Sequence, residues 1–279
     1  MNLIQGDCLE KMKDISKNSV DIIIADLPYG RFKHLDWDKT IDLKKMWKEI
    51  WRIAKPTTPV FLFGDMKFGV QLINSCPRHF KYEIVWNKMR TTTPLLSRKR
   101  LGKATEYIFI FYKKQPVYNY AKYHKHIYKP AQEARVKNGF NTAANQDRLC
   151  PYNKYKGKGG KQFEPNLPLN VVSMKKNLVM GQEKQEMYHQ QSKMYDPILP
   201  TNIISKYNVR INKVIPNITE KPQFILEFIL KYFSNENDTC LDFTMGSGSC
   251  GEACKTLNRK FIGIELNKEH YDIACKRLL

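Results

Sequence analysis

The sequence predicts an α/β protein: a largely parallel sheet with helices on both faces, interrupted by a smaller inserted domain. Three observations carry this reading. Residues 1–112 and 216–279 alternate short β-branched or aromatic runs with stretches of helical spacing. Residues 113–215 lose that rhythm and are broken by Pro116, Pro130, Pro151, Pro165, Pro168, Pro197 and Pro200. A length of 279 residues suits one large domain with an insertion.

The elements follow in order. Asn2–Gln5 is a short strand, and Asp7 is placed to cap a helix over Cys8–Ile15. Val20–Ala25 is β-branched and reads as a buried strand. Leu43–Ala54 carries Met46, Trp47, Ile50, Trp51 and Ile53 at helical spacing. Pro59–Phe63 is a strand ended by Gly64, and Tyr82–Trp86 and Tyr107–Phe111 are two more. After the insertion, Pro222 suits the first turn of a helix whose apolar face is Phe224, Ile225, Phe228, Ile229 and Tyr232. Asp238 precedes the strand Thr239–Phe243, and a Gly-rich turn then leads into a helix through Leu257. Phe261–Ile264 is a strand ending at Glu265, and Asn267 caps a last helix, Lys268–Leu279.

Charge is segregated. The formal net charge is +20. Residues 1–112 hold 20 basic and 12 acidic groups, residues 113–213 hold 19 and 6, and residues 214–279 hold 8 and 9. The middle segment also carries Tyr118, Tyr120, Tyr123, Tyr128, Tyr152 and Tyr155, and a flexible basic loop, Tyr155–Lys161. Lys and Arg neutralise phosphates and aromatic rings stack on exposed bases, so the insertion is expected to contact nucleic acid. The 42% hydrophobic share excludes wholesale disorder, and no apolar run reaches the length of a membrane span. The first residues lack a signal peptide's basic start and apolar stretch. Seven Cys, an odd count with no Cys-x-x-Cys pair, fit neither a disulfide scaffold nor a zinc module. Cys250 and Cys254 share a helix face and read as packing, so no metal is expected, and the protein is expected to be reduced, intracellular and free of membrane.

Two strand ends carry chemistry. Asp242-Phe243-Thr244-Met245-Gly246-Ser247-Gly248-Ser249-Cys250-Gly251 places a G-x-G-x-x-G pattern between a strand and a helix, with Glu265 at the end of the next strand. Small residues let the backbone approach a ligand, and a carboxylate at Glu265 can accept from both ribose hydroxyls. A dinucleotide would rest its pyrophosphate on the helix N-terminus. The acidic Asp242 before the turn better suits S-adenosyl-L-methionine, which has no phosphate and carries a sulfonium cation. The second end is Asp26-Leu27-Pro28-Tyr29-Gly30. Pro28 holds Leu27 extended, which can direct its carbonyl into a pocket. Asp26 and that carbonyl could each accept one N–H of an exocyclic amine, and Tyr29 could stack on the base.

Together these motifs resemble those of the DNA amino-methyltransferases, which methylate exocyclic nitrogens of adenine or cytosine. Asp26-Leu27-Pro28-Tyr29 resembles their D-P-P-Y motif, with Leu27 in place of the first proline. Asp242-Phe243-Thr244-Met245-Gly246-Ser247-Gly248 resembles their D-x-F-x-G-S-G motif. Thr219-Glu220-Lys221-Pro222 resembles a preceding T-Q-K-P stretch, although Asn217-Ile218 replaces the usual His-Pro. Gly6–Glu10 and Thr105–Phe109 resemble further family elements. The catalytic motif precedes the cofactor motif, the order of the beta group.

The resemblance implies a Rossmann-like, seven-stranded, mostly parallel sheet. It implies a catalytic half over 1–112, a target-recognition region over 113–215 and a cofactor half over 216–279. Asp26, Leu27, Pro28 and Tyr29 would be catalytic. Asp7 would bind the cofactor's adenine amine, with Cys8 beside it. Thr219, Lys221 and Pro222 would lie near its methionine end. Asp242, Phe243, Thr244, Gly246, Ser247 and Gly248 would surround it, Glu265 would bind its ribose, and Asp26 and Leu266 would also contribute to cofactor binding. His34, Asp36 and Asp38 fall in a loop expected to be solvated. The implied activity is S-adenosyl-L-methionine-dependent methylation of adenine N6 in a specific duplex sequence, with the base flipped out. Double-stranded DNA is the expected substrate, with a homodimer and a companion restriction endonuclease as further partners and the cytoplasm of a bacterial or phage-infected cell as the setting. Cytosine N4 is the alternative target. A nicotinamide-dependent oxidoreductase using the Gly turn is the alternative of another class.

Overall fold

Apolar runs of the sequence become strands of one sheet, because a strand covered on both faces must be apolar throughout. The computed structural model describes residues 1–30, 40–88, 99, 101, 103–123, 125–127, 162–164, 171–173 and 220–279. The strands are β1 (Asn2–Gln5), β2 (Ile22–Asp26), β3 (Val60–Gly64), β4 (Phe80–Asn87), β5 (Thr105–Phe111), β6 (Lys125–Ile127), β7 (Gln162–Glu164), β8 (Val171–Ser173), β9 (Thr239–Asp242) and β10 (Lys260–Glu265). The helices are α1 (Cys8–Lys11), α2 (Leu43–Ile53), α3 (Met66–Ser75), α4 (Tyr120–Tyr123), α5 (Gln223–Phe233), α6 (Ser249–Thr256) and α7 (Lys268–Leu278).

The chain divides into two units, Met1–Tyr118 with Asn170–Leu279, and Asn119–Leu169. In the second, α4 is followed by β6 and β7, which pair antiparallel with Lys125 opposite Glu164. Most of residues 113–215 lies outside the described residues, including Tyr128, Tyr152, Tyr155 and the Tyr155–Lys161 loop.

The first unit holds the sheet, in the order β1-β10-β9-β2-β3-β5-β4-β8. Seven strands come from the two outer thirds of the sequence, and β8 adds an eighth at the β4 edge. Every pair is parallel except the two made by β5, so β5 alone runs against the rest. The first and last thirds meet where β2 lies beside β9, with Ile22 opposite Cys240 and Ile23 opposite Leu241. Asp21 clamps this joint: its backbone N–H donates to the Thr239 carbonyl (2.9 Å) and its carboxylate accepts from the Thr239 N–H (3.0 Å).

Helices close the faces. On α2, Met46, Trp47, Ile50 and Ile53 are buried, and the Trp47 indole donates to Ser75 Oγ on α3 at 2.8 Å. The sequence reading leaves residues 65–79 without an element, yet α3 forms there, capped by Asp65, whose side chain accepts from the Phe68 N–H. Gly69 interrupts the helical pattern for a packing reason: a Cβ there would fall 1.8 Å from Cζ of Phe109 on β5. The helix expected over Cys8–Ile15 is α for one turn only and tightens to a 3-10 turn at Met12–Asp14. Pro222 stands just before α5 as its cap residue, and the buried face is Ile225, Leu226, Ile229, Leu230, Tyr232 and Phe233. Phe224 and Phe228, expected on that face, are half-buried and pack edgewise or tilted on Trp86 and Tyr232. No helix among the described residues is long and apolar enough to cross a membrane.

Candidate active site

Parallel strands end at one edge of the sheet, and four of them end in or just before a carboxylate. Neighbouring β1, β10, β9 and β2 lead into Asp7, Glu265, Asp242 and Asp26. Residues more than 200 apart in sequence therefore share one rim, at the end where open α/β sheets bind ligands.

The turn after β9 is built for close approach. Gly246 (φ 53°) and Gly248 (φ 85°) both take the left-handed conformation, which glycine adopts without a Cβ penalty. A Cβ at Gly246 would meet nothing within 4 Å, so the turn borders open space there. Glu265 braces it: Oε2 accepts from the Gly246 N–H (2.9 Å) and Oε1 from the Asn267 N–H (2.7 Å). Asp242 is buried and accepts from the Thr244 N–H at 3.0 Å. Burial, followed by the nearby Asp26 and Glu265 charges, pushes its carboxyl well above the usual range despite that bond. Thr244 Oγ1 is buried with no hydrogen-bond partner among the described residues, so a polar group of a ligand in this turn would satisfy it. Phe243 and Ser247 are buried.

At the β1 end, Asp7 Oδ1 caps α1 by accepting from the Leu9 and Glu10 N–H groups. Cys8 is packed in the core, where burial and then the Asp7 charge push its thiol up to about 12. Leu266 is 53% exposed, an apolar surface beside Glu265.

The end of β2 is a network. Leu27 is buried in the core, so the leucine that replaces the family's first proline fills space behind the site. The Tyr29 hydroxyl donates to Asp26 Oδ1 at 2.9 Å, and its ring lies against Phe68 at 4.9 Å. Lys221 Nζ donates to Asp26 Oδ2 and reaches Glu106 Oε1 at 3.3 Å. Glu106 Oε2 in turn pairs with Lys88 Nζ at 2.6 Å. Burial acts against the Lys221 charge, but Asp26 and Glu106 outweigh it and hold its pKa above the ordinary lysine value. Burial likewise pushes Glu106 up, but Lys221 and Lys88 together bring it below the usual carboxylate range.

Lys221 arrives here because the segment before α5 is pinned to α6 and α7. Gln223 Nε2 donates to the Ser249 carbonyl and to Glu252, Arg277 pairs with Glu220 at 2.8 Å, and Ser247 Oγ donates to Glu220. Thr219, His34, Asp36 and Asp38 lie outside the described residues. Glu106 and Lys88 were not among the expected site residues. The available signal was an acidic residue inside the otherwise apolar strand Thr105-Glu106-Tyr107-Ile108-Phe109.

These groups fit S-adenosylmethionine. A row of carboxylates beside an unpartnered hydroxyl and an open glycine position suits a ligand that brings hydroxyl and amine donors and positive charge. It does not suit a pyrophosphate. The Gly246 N–H that would cradle one is taken by Glu265, and the surrounding charge repels it. This speaks against the oxidoreductase alternative.

Comparisons with known proteins agree. The type II methyltransferase M.HpaI of Haemophilus parainfluenzae is 25% identical over 290 residues, covering 99% of this chain and 73% of that protein. The DNA adenine methyltransferase YhdJ of Escherichia coli K12 is 28% identical over 282 residues, covering 99% and 82%. The crystal structure of an M1.HpyAVI–SAM complex superposes with a TM-score of 0.55 at 22% identity, over 99% of both chains, and shows the shared fold. The family model described as DNA methylase, of the N6/N4 methyltransferase type, matches residues 20–276. The chain belongs to that family and is a DNA methyltransferase.

Proposed function

We propose that the protein transfers a methyl group from S-adenosylmethionine to N6 of adenine in duplex DNA, with the target base turned out of the helix. The observation that carries this reading is the adjacency of β2 and β9, which sets Asp26 beside the Asp242–Gly248 turn at one sheet edge. Support for adenine comes from the aspartate that heads the catalytic motif and from the relative named a DNA adenine methyltransferase.

The cofactor supplies an activated methyl on a sulfonium, a good leaving group. The chain's own task is then to hold the amine nitrogen close and in line, which accounts for much of the rate. Asp26 and the Leu27 carbonyl accept the two N–H donors of the amine, favouring the pyramidal, nucleophilic nitrogen. The incoming amine takes the place of the Tyr29 hydroxyl at Asp26 Oδ1, which releases the Tyr29 ring to stack on the base. Lys221, tied also to Glu106, fixes Oδ2 and with it the carboxylate's orientation. Asp26 is also the nearest acceptor for the proton that the amine loses. Extruding the base costs a few kcal/mol, offset by phosphate contacts from the basic middle segment, whose net charge is the largest of the three. The type II designation of M.HpaI supports a companion restriction endonuclease.

The test is direct. The chain is incubated with methyl-labelled S-adenosylmethionine and mixed-sequence duplex DNA, and the product nucleosides are identified. Labelled N6-methyladenine is expected. Label in N4-methylcytosine overturns the base assignment, and unlabelled DNA overturns the activity. The Asp26→Ala variant should transfer no label while still crosslinking to the cofactor under ultraviolet light.

A further inference from the structure

Outside the site, the structure gathers three thiols from two elements. Cys240 lies on β9, and Cys250 and Cys254 lie one turn apart on α6. All three are buried, with 0%, 1% and 0% exposure. Their sulfurs lie within 4.8 Å of one another, and Cys240 and Cys250 are 3.9 Å apart. A trigonal set of metal–sulfur bonds of about 2.3 Å places its sulfurs about 4 Å apart, so the cluster needs only small side-chain adjustments to converge on one ion.

A second observation concerns charge. Arg259, itself buried, donates to Ser234 Oγ (3.0 Å) and to the carbonyls of Ser234 (2.8 Å), Leu230 (3.3 Å) and Leu257. No carboxylate is among its hydrogen-bond partners in the described residues. Its backbone N–H donates to the Cys254 carbonyl at 2.8 Å, which anchors this buried cation at the end of the helix that carries two of the thiols. A buried cation without a paired anion is costly, and a cluster of net negative charge in the same core would relieve that cost.

We propose that Cys240, Cys250 and Cys254 form a three-thiolate site for a soft, thiophilic divalent cation, inside the strand–turn–helix unit that carries the Gly246–Gly248 turn. Thiolate ligands select such ions. Three thiolates and a divalent cation leave one negative charge, which the Arg259 guanidinium balances; a monovalent ion would leave two. Binding forms three metal–sulfur bonds and releases to solvent whichever of the three thiol protons remain. Because the sulfurs are enclosed, the ion enters as β9 and α6 come together, so binding is coupled to folding. Its effect is to tie the strand before the cofactor turn to the helix after it.

The experiment uses the full chain, refolded in the presence of Cd2+ under a phosphine reductant and freed of loose ion. One equivalent of retained Cd2+, an ultraviolet sulfur-to-cadmium charge-transfer band and a raised melting temperature are expected. Cys254→Ser should abolish the band, while joint replacement of Cys8, Cys76, Cys150 and Cys275 by Ser should leave it. A folded wild-type chain that retains no Cd2+, or an undiminished band in Cys254→Ser, means the thiols are packing only and overturns the site. Should Cys254→Ser fail to fold, X-ray absorption on the Zn2+-loaded wild type decides: three sulfur neighbours at about 2.3 Å support the site, and fewer overturn it.

Discussion

Asp26 and Asp242 are the same residue type at the ends of adjacent parallel strands, yet the protein treats them oppositely. Asp26 is partly exposed, with both carboxylate oxygens engaged by side-chain donors, Tyr29 on one and Lys221 on the other. Asp242 is buried, meets a single backbone N–H, and pairs with no cation among the described residues. On the proposed function, the first arrangement orients an acceptor for the target amine, and the second leaves a buried carboxyl beside the Gly246 turn that the cofactor's positive charge would favour. Strand position delivers both residues to the rim; the neighbours differ, with Tyr29 and Lys221 on Asp26 and only the Thr244 N–H on Asp242.

That contrast can be broken most severely at Asp26 itself. Asp26→Asn keeps the shape but replaces one acceptor oxygen with a donor, so kcat should fall by at least about 100-fold. Asp242→Asn keeps its Oδ1 acceptor and removes the buried charge; it should leave the fold intact and weaken cofactor binding, read by calorimetry. Equal losses of kcat in both variants would erase the distinction.

Next in size is Lys221→Ala, which leaves Asp26 and Glu106 facing each other without their shared cation. Removing one partner of a buried ion network costs about 3–5 kcal/mol, measurable by urea denaturation. A loss under about 1 kcal/mol would show that water replaces the ammonium.

The two carboxylates should also respond to pH with opposite signs. Glu106 has a depressed folded pKa, so its contribution is complete above the unfolded value near 4.5 and is lost as pH falls through the folded value. Glu106→Gln should flatten that acid-side loss in thermal melts. Asp242 has a raised folded pKa, so its penalty begins as pH rises above the unfolded value near 3.8. Asp242→Asn should therefore melt higher than wild type at neutral pH and equally below that value.

The smallest effects sharpen the role of two glycines. Gly69→Ala drives a methyl into Phe109 and should cost about 1–3 kcal/mol. Gly246→Ala meets open space and bears only the left-handed backbone penalty, about 1–2 kcal/mol, so its larger consequence should be on cofactor affinity, measured beside stability.

Much of the site was legible because its signals are local. A β-branched run ending in Asp26-Leu27-Pro28-Tyr29, and a strand ending in Asp242 before a Gly-rich turn, can each be found without knowing where the other lies. The Asn267 cap was legible for the same reason: its side chain accepts from the His270 N–H three residues on. The helix α3 was not, because Gly69 spoils the pattern for a packing reason that lies 40 residues away at Phe109. Lys88 and Glu106 were missed as site members because their importance comes only from meeting Lys221.

By itself, the sequence determined which residue types stand at each strand end, the strand and helix periods around them, and the uneven spread of charge. These depend on residue type and spacing along the chain. Only the tertiary structure decided that β2 lies against β9, that one lysine joins Asp26 to Glu106, and that three thiols from β9 and α6 gather within 4.8 Å in the core. Pairing across 200 residues is set by which apolar surfaces fit together and which charges are left to be balanced, and neither is written at any single position.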